Sequence, residues 1–136
     1  MKKHIRYIII AAVIALPAVS AFAEPDQPTQ TAFTNMIAAL VADNYNAYIA
    51  EWTPEMKTNA NLSQPNFDHL SQMMAPRTKQ GYDTQYLGEL DQHGYKVHLW
   101  SLRFKDGSDD VLTTLCMKDG KVGSFNVMMF ALYPPK

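Results

Sequence analysis

The sequence lacks what a disulfide-stabilised or metal-binding protein needs. It contains one cysteine among 136 residues, so no disulfide can form within the chain. Its histidines are not spaced against cysteine, glutamate or one another as a zinc site requires, and its six glycines form no phosphate-binding loop. No nucleophile motif such as G-x-S-x-G is present. We therefore expect no metal and no cofactor, and a stability that comes from a hydrophobic core.

The one long hydrophobic run lies at the N-terminus and has the pattern of a secretory signal peptide. Basic "MKKHIR" precedes the apolar "YIIIAAVIALPAV", and small residues follow at Ala21 and Ala23. The run is shorter than the roughly 20 residues of a membrane-spanning helix. We expect cleavage after Ala23, a periplasmic or secreted protein beginning at Glu24, and no membrane association after cleavage.

Little net charge remains after the predicted cleavage. Without Lys2, Lys3 and Arg6, nine basic residues face 13 acidic ones, a net charge of about −4. This value gives no reason to expect nucleic acid or an anionic membrane as a partner. The remaining length suits one domain and not two. The predicted organisation is a signal peptide at 1–23, an extended leader at 24–30 and a single α+β domain at 31–136.

Apolar residues with a helical period fill the first half of that domain. A stripe from Phe33 to Val41 predicts the first helix, with Thr29 or Thr31 as its N-cap. Three further helices are predicted to begin after Asn44, Thr53 and Ser63, because a capping residue stands at each of these positions and a proline follows two of them closely. Pro76 is expected to end or kink the last helix.

The period changes to strict alternation after Gly81. This pattern predicts four strands, near 84–91, 95–104, 111–118 and 122–133. The short links "DQHG", "DGSD" and "DG" require antiparallel neighbours, since a parallel pair needs a long crossover. The predicted fold class is α+β, with N-terminal helices packed on a four-stranded antiparallel meander.

The segment "DGSDD" is interpreted as a turn and not as a calcium site. Counted from Asp106, the sixth position of a helix-loop-helix calcium site would be Val111, where that site requires glycine. A four-residue loop would instead place Lys105 opposite Asp110, an opposite-charge pair that closes a hairpin.

A second turn is predicted at Asp119-Gly120, because a type I′ turn needs positive φ at both central residues. The resulting register places Lys118 opposite Lys121 and Leu115 opposite Ser124.

Both faces of the predicted sheet are largely apolar, whereas a sheet with one wet face would alternate cleanly. Because the helices can cover only one face, the other is expected to close a pocket, meet a partner subunit or hold a small apolar ligand. A homodimer is expected through the face that carries Trp100, Leu102, Phe104, Leu115, Met128 and Phe130. The candidate ligand-binding residues are Trp100, Leu102, Phe104, Phe125, Met129 and His98.

Three segments together resemble a known superfamily: "FTNMIAALVADNYNAYIAEWTPEM", "FDHLSQMM" and "YLGELDQHGYKVHLWSLRFKDGSDDVLTTLCMKDGKVGSFNV". They are similar to small bacterial domains of the nuclear-transport-factor-2-like (cystatin-like cone) superfamily, and to a branch sometimes found ahead of α/β-hydrolase domains. The resemblance implies a curved sheet wrapped around helices, a cone-shaped cavity and frequent dimers through the sheet. It carries over no hydrolase activity, because the hydrolase domain is absent from this sequence.

These observations favour an exported, non-catalytic binding or interaction module over an enzyme. The alternative is a small periplasmic lyase or isomerase with an acid/base residue in the cone cavity, and no catalytic residue is assigned. Convergence of Glu89, His98 or Asp83 in a closed pocket would favour the enzyme, and a lining of apolar and aromatic residues alone would favour binding. A copper-binding protein is a minor alternative, because His69 and Met73 lie one helical turn apart.

Overall fold

The computed structural model describes residues 23–129, in which four α-helices precede a four-stranded sheet. The predicted signal peptide and the predicted strand residues beyond 129 lie outside this range, except for Ala23. The helices are α1 (Gln27–Val41), α2 (Tyr45–Ala50), α3 (Pro54–Lys57) and α4 (Gln64–Thr78), with a 3₁₀ turn at Ala60–Leu62 between the last two. The strands are β1 (Tyr82–Gln92), β2 (Tyr95–Phe104), β3 (Val111–Lys118) and β4 (Lys121–Met128).

The strands form one antiparallel meander in the order β1-β2-β3-β4, which confirms the predicted α+β class. Asp119 and Gly120 have φ values of 52° and 74°, as the predicted type I′ turn between β3 and β4 requires. His93 and Gly94 have φ values of 51° and 81° and make the equivalent turn between β1 and β2. The local sequence therefore determines both tight turns.

The predicted register of the last hairpin is wrong beyond its first two pairs. Lys118 does face Lys121, but the ladder shifts after Met117, and Leu115 faces Phe125 instead of Ser124. The cause is a bulge at Gly123, which adds one residue to β4. A Cβ atom at position 123 would lie 3.0 Å from Lys118 Cβ, so glycine suits this close approach.

The predicted pair between Lys105 and Asp110 is also wrong. β3 begins at Val111, which faces Leu102, so the loop is longer than four residues. Arg103 takes the place of Lys105, with its Nε 3.4 Å from an oxygen of Asp110.

One sheet face, called here the inner face, packs against the helices and contains the core. Residues that face each other in an antiparallel pair project to the same side. Trp100 therefore shares the inner face with Thr113 and Val127. The Phe33 ring of α1 stacks on Trp100 with 4.0 Å between centroids and 4° between planes. Leu102 and Leu115 are fully buried, and Phe104 is 7% exposed.

This arrangement corrects the predicted dimer contact. Trp100, Leu102, Phe104 and Leu115 are covered by the helices of the same chain, so they are not available to a partner. Met128 lies on the opposite side, called here the outer face, because it pairs with Leu112, and Phe130 lies outside the described residues. Phe125 also changes sides, because the bulge brings it to the inner face.

The first helix begins earlier than predicted. Its N-cap is Asp26, whose carboxylate accepts a hydrogen bond of 3.0 Å from the Thr29 backbone N–H. Proline at the second helical position suits this start, because the first N–H groups of a helix have no internal partner. The extended segment within the described residues therefore ends at Asp26 and not at residue 30. At the other end of the helical region, α4 continues past Pro76 to Thr78.

Candidate functional site

A cleft of about 350 Å³ lies between β4 and the segments α2, α3 and α4. Its position follows from a short parallel bridge, in which Val122 N donates to Glu51 O (2.9 Å) and Thr53 N donates to Val122 O (3.0 Å). This bridge holds the chain against the start of β4, and the cleft begins where the chain turns away into the 3₁₀ turn. The lining residues are Tyr48, Trp52, Met56, Asn59, Asn61, Leu62, Asn66, Phe67, Leu70, Ser124, Phe125, Asn126 and Val127.

Four aromatic side chains form the apolar part of the cleft. The Tyr48 ring lies at the centre, with its centroid 5.0 Å from Phe67, 5.8 Å from Trp52 and 6.3 Å from Phe125. The planes are inclined by 49° to 73°, the tilted and edge-on geometries that aromatic pairs prefer. Tyr48 belongs to α2, whereas Trp52 follows the C-cap Glu51 and lies in the bridge to Val122.

The environment of Tyr48 keeps its hydroxyl neutral. Burial raises the pKa of Tyr48 well above its ordinary value, and the nearby indole N–H of Trp52 opposes this only in part. The Trp52 Nε1 atom is itself buried and has no hydrogen-bond partner in residues 23–129. The aromatic part of the cleft therefore contains neutral hydrogen-bonding groups and no acid or base.

Exposed amide side chains form the polar rim. Asn59 Oδ1 accepts a hydrogen bond from Asn61 N (2.9 Å), and Asn66 Nδ2 donates to Asn61 O (3.2 Å). These bonds fix the 3₁₀ turn at the entrance, and they use one side-chain atom each of Asn59 and Asn66 and none of the Asn61 side chain. None of the residues that line the cleft carries a charge. Such a lining suits an uncharged ligand that combines a flat apolar surface with hydrogen-bonding groups.

A second cluster lies where the inner face meets the N-terminal end of α1. His98 is 7% exposed, and its Nδ1 lies 2.9 Å from the Tyr86 hydroxyl and 3.9 Å from a Glu89 oxygen. These contacts result from the β1–β2 register, which places Glu89 opposite His98. Burial, and secondarily the negative charge of Glu89, raise the pKa of Tyr86. Lys96 pairs with the same Glu89 carboxylate.

A cavity of about 270 Å³ adjoins this cluster. Tyr86 and Trp100 form part of its wall together with Glu24 and Gln27, so the cavity reaches the segment that leads into α1. The Nε1 atom of Trp100 is buried and without a partner among the described residues. The cluster contains the groups for proton transfer that the larger cleft lacks.

The structure distributes the six predicted site residues over three places. Phe125 lines the large cleft, whereas Trp100 lines the smaller cavity and His98 lies in the cluster beside it. Leu102 and Phe104 lie in the core, and Met129 packs against the core. The predicted residues therefore do not form one site.

Sequence reasoning missed the amides of the large cleft. Asn59, Asn61 and Asn66 lie in a segment of turn-forming composition, where asparagine ordinarily caps helices and turns. Their spacing has no period that marks a binding rim. The signal in the sequence was the aromatic pair Tyr48 and Trp52, because two large aromatics four residues apart leave a large apolar surface for a neighbour to cover.

Within residues 23–129, no group of three or more histidine, cysteine, aspartate or glutamate side chains is arranged to hold a metal ion. No helix of that part of the chain is long and apolar enough to cross a membrane.

No protein-family model matches this chain, and no curated protein matches it. Among solved structures, it is similar to an uncharacterised cystatin-fold protein from Novosphingobium aromaticivorans, with 16% identity over 74% of this chain and 97% of the other. The TM-score of that comparison is 0.41, so the likeness carries no argument about family or activity. The predicted relation to a branch found ahead of α/β hydrolases stays a prediction.

Proposed function

We propose that the protein is a binding module that takes a small uncharged ligand in the cleft between β4 and the helices. The observation that carries the proposal is the composition of the lining, with aromatic rings at the floor, amides at the rim and no charged side chain. A cleft of about 350 Å³ lies within the range that small-molecule sites occupy. Because a charged ligand would lose water without gaining an opposite charge there, the cleft should select against ions.

A matched set of three probes tests this proposal. Benzamide, benzoate and benzylamine share one ring and differ in charge at neutral pH, and ligand-observed NMR measures their binding to the whole protein. We expect saturation transfer to benzamide and little to the two ions. Asn61→Ala should weaken the benzamide signal, whereas Asn46→Ala, at an exposed position of α2 outside the cleft, should leave it unchanged. Equal binding of all three probes would contradict the proposal.

An acid/base enzyme is the second candidate, and the His98 cluster is the observation that favours it. Glu89, His98 and Tyr86 meet beside a cavity that Tyr86 lines, although the enzyme alternative asks for Glu89, His98 or Asp83 within a closed pocket and none of these three lines this one. In this candidate the Tyr86 hydroxyl would exchange a proton with a substrate in the smaller cavity, and His98, with Glu89 beside it, would be the partner of that hydroxyl. Any turnover found should disappear in His98→Gln, and turnover that persists in this variant would remove the cluster from consideration.

Export and dimerisation also belong to the proposal. The mature protein should begin at Glu24 in the periplasm or medium, which intact mass of the recovered protein measures. A product that retains Met1 and fractionates with membranes would contradict export.

A homodimer is proposed through the outer sheet face and not through the face predicted from the sequence. Its apolar and partly exposed residues are Leu90, Tyr95, Val97, Leu99, Leu112 and Met128.

A further inference from the structure

The outer edge of β4 is paired at only one point within the described residues. Val122 makes both backbone hydrogen bonds of the bridge to Glu51 and Thr53. Beyond Val122, no backbone group of the described chain bonds to this edge. Unpaired N–H and C=O groups of a sheet edge are a template for pairing with another strand.

The register identifies which residues turn their backbone groups outward. In an antiparallel ladder, pairs that exchange hydrogen bonds alternate with pairs whose N–H and C=O groups point away from the partner. The N–H and C=O groups of Val122 point away from β3, as their bonds to the 51–53 segment show. The bulge at Gly123 shifts the alternation by one residue, so the next outward residues are Phe125 and Val127.

These outward groups face the cleft. Ser124, Phe125, Asn126 and Val127 all line it, although neighbouring side chains of a strand point to opposite faces. Asn126 illustrates this, because its side chain donates to Thr114 Oγ1 (3.3 Å) on the outer face. Four consecutive residues can border one cleft only through the edge of the strand. The backbone of β4 is therefore part of the lining, over a length of about 13 Å at the usual rise per residue.

The other edge of the sheet differs from this one. β1 carries the carboxylates Asp83, Glu89 and Asp91, and a bulge lies between Tyr86 and Gly88. Charged side chains and bulges are features that prevent edge pairing. The stretch 124–127 of β4 has neither a charge nor a bulge, and it borders an uncharged cleft with aromatic walls.

We infer that the cleft binds an extended peptide segment of another polypeptide, which adds to β4 as a fifth strand. The backbone of the segment pairs with Phe125 and Val127, and its side chains, which are uncharged, contact the aromatic rings and the amide rim. The inference rests on the proposed function, because the cleft that takes a small uncharged group would take the uncharged side chains of such a segment. Backbone pairing supplies affinity in this mode of recognition, and the side-chain pockets supply selectivity.

The test uses a blocked pentapeptide of alternating threonine and valine and the whole protein. Hydrogen exchange of individual amides is followed by NMR with and without the peptide. We expect exchange at Phe125 and Val127 to slow about tenfold or more, and exchange along the β1 edge to stay unchanged, since only paired amides are protected. Two control peptides are N-methylated at alternate backbone nitrogens, one at the odd positions and the other at the even positions. Each keeps its side chains and loses those backbone hydrogen-bond donors. At least one of them should bind about tenfold more weakly.

Each other outcome overturns the inference in a distinguishable way. If benzamide binds the cleft and the peptide protects neither Phe125 nor Val127, the peptide inference fails and the proposed function stands. If neither probe binds the cleft, both fail. Equal protection along β1 would mean unspecific edge pairing. If Phe125 and Val127 are protected without peptide and the protection grows with protein concentration, a second copy of the protein pairs with the edge of β4. If that protection does not depend on concentration, another segment of the same chain pairs with it.

Discussion

Tyr48 combines the two properties that define the cleft, an aromatic surface and a neutral hydroxyl. It is 5% exposed, and its ring packs near Trp52, Phe67 of α4 and Phe125 of β4. His98 is similarly buried, but the Tyr86 hydroxyl and the Glu89 carboxylate lie beside it. The difference between the two sites therefore lies in single residues, because the register of the sheet places Glu89 near His98, whereas no charged residue lines the cleft around Tyr48.

The pKa of Tyr48 predicts a loss of stability at high pH. Because its pKa is raised in the folded state, an unfolded chain ionises this residue at its ordinary pKa of 10.0 while the folded chain does not. Stability contributed by the neutral hydroxyl is thus complete below pH 10 and declines as the pH rises above it. Urea unfolding of wild-type and Tyr48→Phe protein, at neutral pH and near pH 11, measures this. The decline should be smaller in Tyr48→Phe, and an identical decline in both proteins would contradict the prediction.

At the scale of elements, the turns and caps were predictable where the chemistry is local. Asp119-Gly120 specifies its turn through two positive φ values, and Asn44 and Thr53 accept the backbone hydrogen bonds that start α2 and α3. The bulge at Gly123 was not predictable, because it depends on how closely β3 and β4 approach. The sides to which the residues of β4 project were missed for the same reason, since one extra residue moves Phe125 to the other side.

The start of α1 provides a test at this scale. Asp26→Ala removes the side chain that caps Thr29 N and should cost about 1 kcal/mol of unfolding free energy. Thr31→Ala is the matched control, because Thr31 is an exposed residue inside the helix and not its cap. Denaturant unfolding should show little change for Thr31→Ala. A larger loss of unfolding free energy in Thr31→Ala than in Asp26→Ala would contradict Asp26 as the N-cap and support the N-cap predicted from the sequence.

At the scale of the whole molecule, the two sheet faces have different roles. The inner face is closed by the helices of the same chain, and no described element covers the outer face with its exposed Leu90 and Tyr95. The sequence predicted two largely apolar faces, but the bulge moves Phe125 and Val127 to the inner face and leaves Ser124 and Asn126 on the outer one. It could not show which face the helices cover, because that choice depends on packing between segments far apart in the chain, such as Phe33 against Trp100.

Two aspartate substitutions separate these roles. Leu90 is 49% exposed, so Leu90→Asp should leave the protein folded and convert the proposed dimer to a monomer in sedimentation at tens of micromolar. Leu102 is 0% exposed, so Leu102→Asp buries an unpaired charge and should abolish folding, which circular dichroism measures. A wild-type monomer would contradict the outer-face dimer. A folded Leu102→Asp monomer would contradict the assignment of the inner face.

The most direct test of the binding cleft is the position of a bound neutral ligand on the protein. Benzamide titrated into ¹⁵N-labelled protein should shift the amide signals of Tyr48, Phe67, Phe125 and Val127 together, with one saturating curve, because these residues surround one cleft. Shifts confined to Tyr86, His98 and Trp100 would place the ligand in the smaller cavity. That result would contradict the proposed binding function of the cleft at β4.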